Sequence, residues 1–114
     1  MVMKKVIDGK LYDTNTGIKV IAMDNGKYSD DFNNYNATIY RTKKGALFIF
    51  EDGGAYSKMG RTLGSGASGG SSDMKVLTDE QAVEMIQEWH ADRYISVSEC
   101  QEALENLGVK IEEA

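Results

Sequence analysis

The chain has one histidine, His90, and one cysteine, Cys100, in 114 residues. Together they would suit thiolate chemistry, in which a base or cation beside the sulfur populates its nucleophilic form. No cysteine-protease signature accompanies them. Cys100 falls within an apolar helical stripe and His90 at the edge of another, so a buried thiol and a structural imidazole are expected. A zinc site needs several His or Cys ligands at close spacing, and this pair does not supply them. Carboxylates are plentiful, but Asp30-Asp31 and Glu51-Asp52 read as turn residues. Acid–base hydrolysis needs two carboxylates at a set separation in a cleft. The stretch Gly64–Ser72 invites comparison with phosphate-binding loops. Those need a Lys after the last Gly, and no Lys lies between Gly60 and Asp73. The sequence therefore predicts no catalytic residue, no metal site and no cofactor.

Charge is better organised. The net charge is −5, which disfavours bulk nucleic-acid binding. Residues 1–62 carry ten Lys/Arg against seven Asp/Glu, and residues 63–114 three against eleven. Such asymmetry suggests an interaction surface. Glu80, Glu84, Glu88, Glu99 and Glu102 form the candidate acidic face, able to steer a basic partner. The alternative reading of these charges is simple solvation of a surface. Arg41, Lys43, Lys44, Lys58 and Arg61 form the densest basic group. With Tyr40, Phe48 and Phe50 nearby, they could bind single-stranded nucleic acid by stacking and phosphate contact. The competing expectation is that these aromatics are core beneath helices.

The elements that must hold these residues are strands first and helices last. Lys5–Ile7 and Lys10–Tyr12 flank Asp8-Gly9, a tight-turn dipeptide. Ile18–Ala22 reads as a strand, and Lys27–Asn34 as a polar loop. Ala37–Thr42 and Ala46–Glu51 flank Lys43-Lys44-Gly45, a short hairpin loop with Gly in the left-handed position. Alternation places Phe48 and Phe50 on one face and Leu47 and Ile49 on the other, so this strand is predicted to be covered on both sides. Ala55–Met59 could add an edge strand. Residues 63–73 are predicted to be a Gly/Ser loop. Thr78-Asp79-Glu80-Gln81 and Ser96-Val97-Ser98-Glu99 are capping boxes that start two helices. Ala82, Met85, Ile86 and Trp89 make the core stripe of the first; Val97, Cys100, Ala103, Leu104 and Leu107 make that of the second. Gly108 is placed to end the second helix, and Val109–Ile111 reads as a last short strand.

The expectation is one α+β domain over 1–114: an N-terminal antiparallel sheet of about four to six short strands in 1–62, the loop 63–73, and a helical part 74–114 with two helices packed on one face. The longest apolar run, Ala46–Phe50, is far short of a membrane span. The start MVMKKVIDG lacks a signal-peptide core. A cytoplasmic protein without membrane partner is therefore expected. An edge strand or apolar sheet face would support a homodimer, although the sequence does not set the oligomeric state.

The runs KKVIDGKLYDTNTG and YRTKKGALFIFEDGGAYSK, with the Gly/Ser stretch after them, resemble small proteins carried on mobile genetic elements of Gram-positive bacteria. The resemblance covers most of residues 4–90. Some members are anti-CRISPR proteins directed at type II RNA-guided nucleases. It implies a non-enzymatic inhibitor acting by protein–protein contact with the nuclease or its guide-RNA complex, and it carries over no site residues. Such nucleases hold nucleic acid in strongly positive channels, which the acidic helical face could enter. The alternative is a small nucleic-acid-binding accessory protein that uses the basic, aromatic sheet.

Overall fold

The structure is a computed structural model that describes residues 3–26, 34–54, 61–63, 67–69 and 71–113. It is an α+β fold. The strands are β1 (Lys4–Ile7), β2 (Lys10–Asp13), β3 (Ile18–Asp24), β4 (Tyr35–Arg41), β5 (Leu47–Gly53), β6 (Arg61–Leu63), β7 (Ala67–Gly69) and β8 (Ser71–Leu77). Helices α1 (Asp79–Ala91) and α2 (Val97–Asn106) follow them. β3, β4, β5 and β8 form a four-stranded antiparallel sheet in that order, and β1–β2 and β6–β7 are separate two-stranded ribbons.

Turn chemistry explains the ribbon and the main hairpin. Asp8 and Gly9 both take positive φ, 52° and 75°, the geometry that matches the twist of a two-residue hairpin. Gly45 sits at φ 92° while the Thr42 and Ala46 backbones close the β4–β5 turn. β5 is central, as its two apolar faces require. Leu47 and Ile49 face the helices and pack with Ile21, Met23, Ala37, Ile39, Ala82, Ile86, Trp89 and Leu104.

The opposite face differs from the expectation. Phe48 is fully buried (0 % exposed), but beneath the β1–β2 ribbon and not beneath helices. Tyr12 meets it edge-on at 5.6 Å, and Tyr40 stacks on it at 5.2 Å. Met74, Met3 and Ile7 complete this second cluster. Lys5 Nζ ties the ribbon to β8 by donating to Asp73 Oδ1 (2.9 Å) and to the Met74 carbonyl (3.2 Å). The molecule is thus layered as ribbon, sheet and helices.

Both helices begin with complete capping boxes, at Thr78/Gln81 and Ser96/Glu99. Both end in the same six-residue closure. The Tyr94 N–H donates to the Trp89 carbonyl, and the Val109 N–H to that of Leu104. The residue in between is left-handed, Gly108 (φ 85°) in α2 but Arg93 (φ 66°) in α1.

Three further expectations are corrected. Residues 63–73 are not simply a loop: β6 ends at Leu63, β7 is Ala67–Gly69, and β8 starts at Ser71. The helical part does not begin at 74, because Met74–Leu77 complete β8 against β5. An open β5 edge rewards any backbone that pairs with it, and this outweighs the weak strand preference of Ser. Val109–Ile111 is no strand, since the Val109 N–H is committed to closing α2. The proposed edge strand 55–59 and residues 27–33 of the polar loop lie outside the described residues.

Candidate interaction surface

The acidic candidates divide between two places. Glu80, Glu84 and Glu88 recur every fourth residue on α1, opposite the buried Ala82, Ile86 and Trp89. They form an exposed row with steps of about 6 Å at 1.5 Å per residue. Among the described residues none of the three has an ion-pair partner; the ion pairs there are Lys4–Asp13, Lys5–Asp73 and Lys75–Glu51. Glu99 is apart from them. It faces the β3–β4 side near Asp24, Asn36 and Tyr94, and its Oε1 accepts the Ser96 N–H at 3.0 Å. That bond, with the Ser96 hydroxyl, holds its carboxyl below the usual carboxylate range. Glu102 is exposed on α2. The helical layer from Asp79 to Asn106 has Arg93 as its only Lys or Arg.

Beside the α1 row lies a feature that periodicity did not reveal. The chain leaving α2 folds back so that Leu107 and Val109 lie on the same surface as Val83 of α1. Together they line a shallow, open depression of ≈ 460 Å³ beside Asp79, Glu80, Glu84 and Gln87. A readable signal existed. An apolar residue directly after a helix-ending Gly, paired with Leu104 five residues earlier, is the pattern of a helix closure.

The basic candidates are also dispersed. Arg41 is committed, since its Nη2 donates to the Asn106 carbonyl at 2.7 Å and so satisfies the C-terminal end of α2. Lys43 and Lys44 are exposed at the β4–β5 turn. Lys58 lies outside the described residues, and Arg61 is described only as part of β6. Phe48 is buried under the ribbon and Tyr40 and Phe50 are half-buried, Tyr40 with its ring stacked on Phe48, so the three do not form an open stacking platform for bases.

The other groups with chemical potential have structural surroundings. Cys100 is buried in the main core, and desolvation pushes its thiol pKa up. His90 Nδ1 lies 3.2 Å from the Ile95 carbonyl, within the α1–α2 turn. Glu51 is a buried carboxylate (2 % exposed) on the helix-facing side of β5. Its Oε2 accepts from the Tyr35 hydroxyl at 2.5 Å, and Lys75 Nζ lies 3.5 Å from Oε1. Burial and the adjacent carboxylate raise the Tyr35 pKa. Among the described residues no group of three or more His, Cys, Asp or Glu side chains could hold a metal ion, and no helix is long and apolar enough to cross a membrane. No protein family, no curated protein and no solved structure matches this chain.

Proposed function

We propose that this protein is a non-enzymatic inhibitor of a type II CRISPR RNA-guided nuclease, acting by direct binding through the outer face of α1. The observation that carries the reading is the depression lined by Val83, Leu107 and Val109 with Glu80 and Glu84 beside it. An apolar floor supplies the desolvated anchor site that dominates binding energy. Surrounding carboxylates supply steering and register against a basic partner. Glu88 extends the charge one turn further along α1. The partner's matching feature would be an aliphatic side chain set among Lys and Arg, as on the positive walls that hold guide and target strands. The choice of a type II nuclease among basic partners rests only on the resemblance read in the sequence over most of residues 4–90.

The test is co-migration with a type II-A nuclease in size-exclusion chromatography, with and without guide RNA. The expected result is a complex that forms with free nuclease and weakens when guide already fills the channel. Glu80→Lys, Glu84→Lys and Glu88→Lys together should abolish it. Binding that survives the triple reversal would refute the acidic-face mechanism. No complex in either state would refute direct binding to that nuclease.

A further inference from the structure

The ribbon side of the sheet carries its own concave site. The β1–β2 ribbon and the β4–β5 turn enclose a groove of ≈ 530 Å³, within the usual range for ligand clefts. Lys10 approaches from the ribbon, and Lys43 and Lys44 from the turn. Lys10 is more than thirty residues from Lys43 and Lys44 in sequence, so only the docking of ribbon on sheet brings it to them.

Two observations separate this groove from an ordinary lysine-bearing surface. The first concerns charge. Asp13 also lines it, but its carboxylate is already engaged: Oδ1 accepts the Asn15 N–H at 2.8 Å and Oδ2 lies 3.9 Å from Lys4 Nζ. Among the described residues Lys10, Lys43 and Lys44 have no such partner; Lys19 and Lys110 have none either but do not line the groove, so what sets the groove apart is the convergence of three unpaired ammonium groups on one concavity. The second concerns rigidity. Gly17 lies on the groove wall, and a Cβ there would stand 3.1 Å from Phe48 Cζ and 3.2 Å from Tyr40 Cβ. The wall is therefore seated directly on the second core cluster. The backbone carrying the lysines is pinned by the two left-handed turns.

We infer that this groove binds the phosphodiester backbone of single-stranded nucleic acid, with Lys10 on one side of the strand and Lys43 and Lys44 on the other. Ammonium groups act as point charges towards phosphate oxygens and read no sequence. The site therefore contacts the backbone of any sequence. It differs from the stacking sheet expected from sequence, because Phe48 is buried, Tyr40 is half-buried and stacked on it, and Arg41 serves α2. It also stands independently of the acidic depression, which lies on the far layer.

The test is fluorescence anisotropy of labelled oligouridylate and oligothymidylate of about 12 nucleotides, long enough to cross one binding face, with the full chain. The expected result is binding at low salt for both. The logarithm of the association constant should fall by about 2 per tenfold rise in salt, at roughly 0.7 for each of three phosphates neutralised. Lys10→Glu, Lys43→Glu and Lys44→Glu together should weaken binding at least tenfold, and the three Lys→Gln changes should weaken it less. Lys19→Glu with Lys110→Glu should leave it within twofold. Circular dichroism on each variant confirms that the fold is kept. No binding by the wild-type chain at the lowest salt overturns the inference. Equal loss from the Lys19/Lys110 control overturns it too, since that would mean diffuse charge. Binding of oligouridylate alone would narrow the ligand to RNA, with the 2′-hydroxyl as an added contact.

Discussion

Replacing Gly17 by Ala probes the seam on which the layered structure depends. Gly17 is not held at positive φ, so the backbone itself tolerates a side chain. Removing glycine's freedom from the unfolded chain would stabilise by about 0.4–1 kcal/mol. Packing opposes this. The new methyl would lie 3.1 Å from Phe48 Cζ, 3.2 Å from the Asp13 carbonyl oxygen and 3.2 Å from Tyr40 Cβ. None of these can move cheaply. The Phe48 ring is fully buried, the Asp13 carbonyl accepts the Gly17 N–H at 3.0 Å, and Tyr40 Cβ is fixed by a strand paired on both sides. Overpacking of this kind costs about 1–3 kcal/mol. The overpacking cost exceeds the entropic gain, leaving a net destabilisation of about 1–2 kcal/mol. For a domain of this size that corresponds to a fall in Tm of roughly 4–8 °C. Urea unfolding followed by far-UV circular dichroism measures it directly, and an unchanged m-value would show that the denatured state is unaltered. A midpoint equal to or above wild type would refute the reasoning. It would mean that the ribbon sits loosely and that Phe48 is not sealed beneath it.

Other consequences are equally open to measurement. Thr78→Ala and Ser96→Ala each remove one capping box and should cost about 1 kcal/mol by urea unfolding. Arg93 closes α1 in a left-handed conformation that glycine adopts freely, so Arg93→Gly should stabilise by about 1 kcal/mol, a rare gain from introducing glycine. The Lys5 hydrogen bond holds the Asp73 carboxyl below its ordinary value of 3.8. A depressed carboxyl stabilises above its unfolded pKa and loses that contribution as pH falls through the folded value. Asp73→Asn should therefore lose stability at pH 7, by under about 1 kcal/mol because the pair is exposed, with the difference from wild type vanishing in acid. Cys100 should react with a disulfide reagent much more slowly in the native protein than in urea, because its thiol is buried and its pKa raised. Rapid native labelling would contradict the packing of α2.

What local chemistry can encode was legible in the residues themselves. Asp8-Gly9 and Lys43-Lys44-Gly45 specify their turns because few residues tolerate positive φ. Thr78 and Ser96 mark the helix starts, since a hydroxyl followed three residues later by Gln or Glu satisfies two exposed N–H groups. The alternation Leu47-Phe48-Ile49-Phe50 is apolar on both faces, and only a central, doubly covered strand can bury it. The concentration of carboxylates from Asp79 onward is a property of composition, and it marks the acidic layer without any knowledge of packing.

The tertiary structure decided what depends on distant partners. Ser71–Ser72 pair as strand because β5 offers an unpaired backbone edge, not because of their own preference. Phe48 is covered by a ribbon from the start of the chain, although the sequence suggests helices as its lid. Glu80 and Glu84 gain an apolar depression beside them because Val109 closes α2 and lies on the same surface as Val83. Lys10 meets Lys43 and Lys44 only through the docking of two hairpins. Turns and caps are governed by forces within a few residues, and so they can be read along the chain. Layer order and convergence of side chains arise from burial shared among segments far apart in sequence, which no local pattern records.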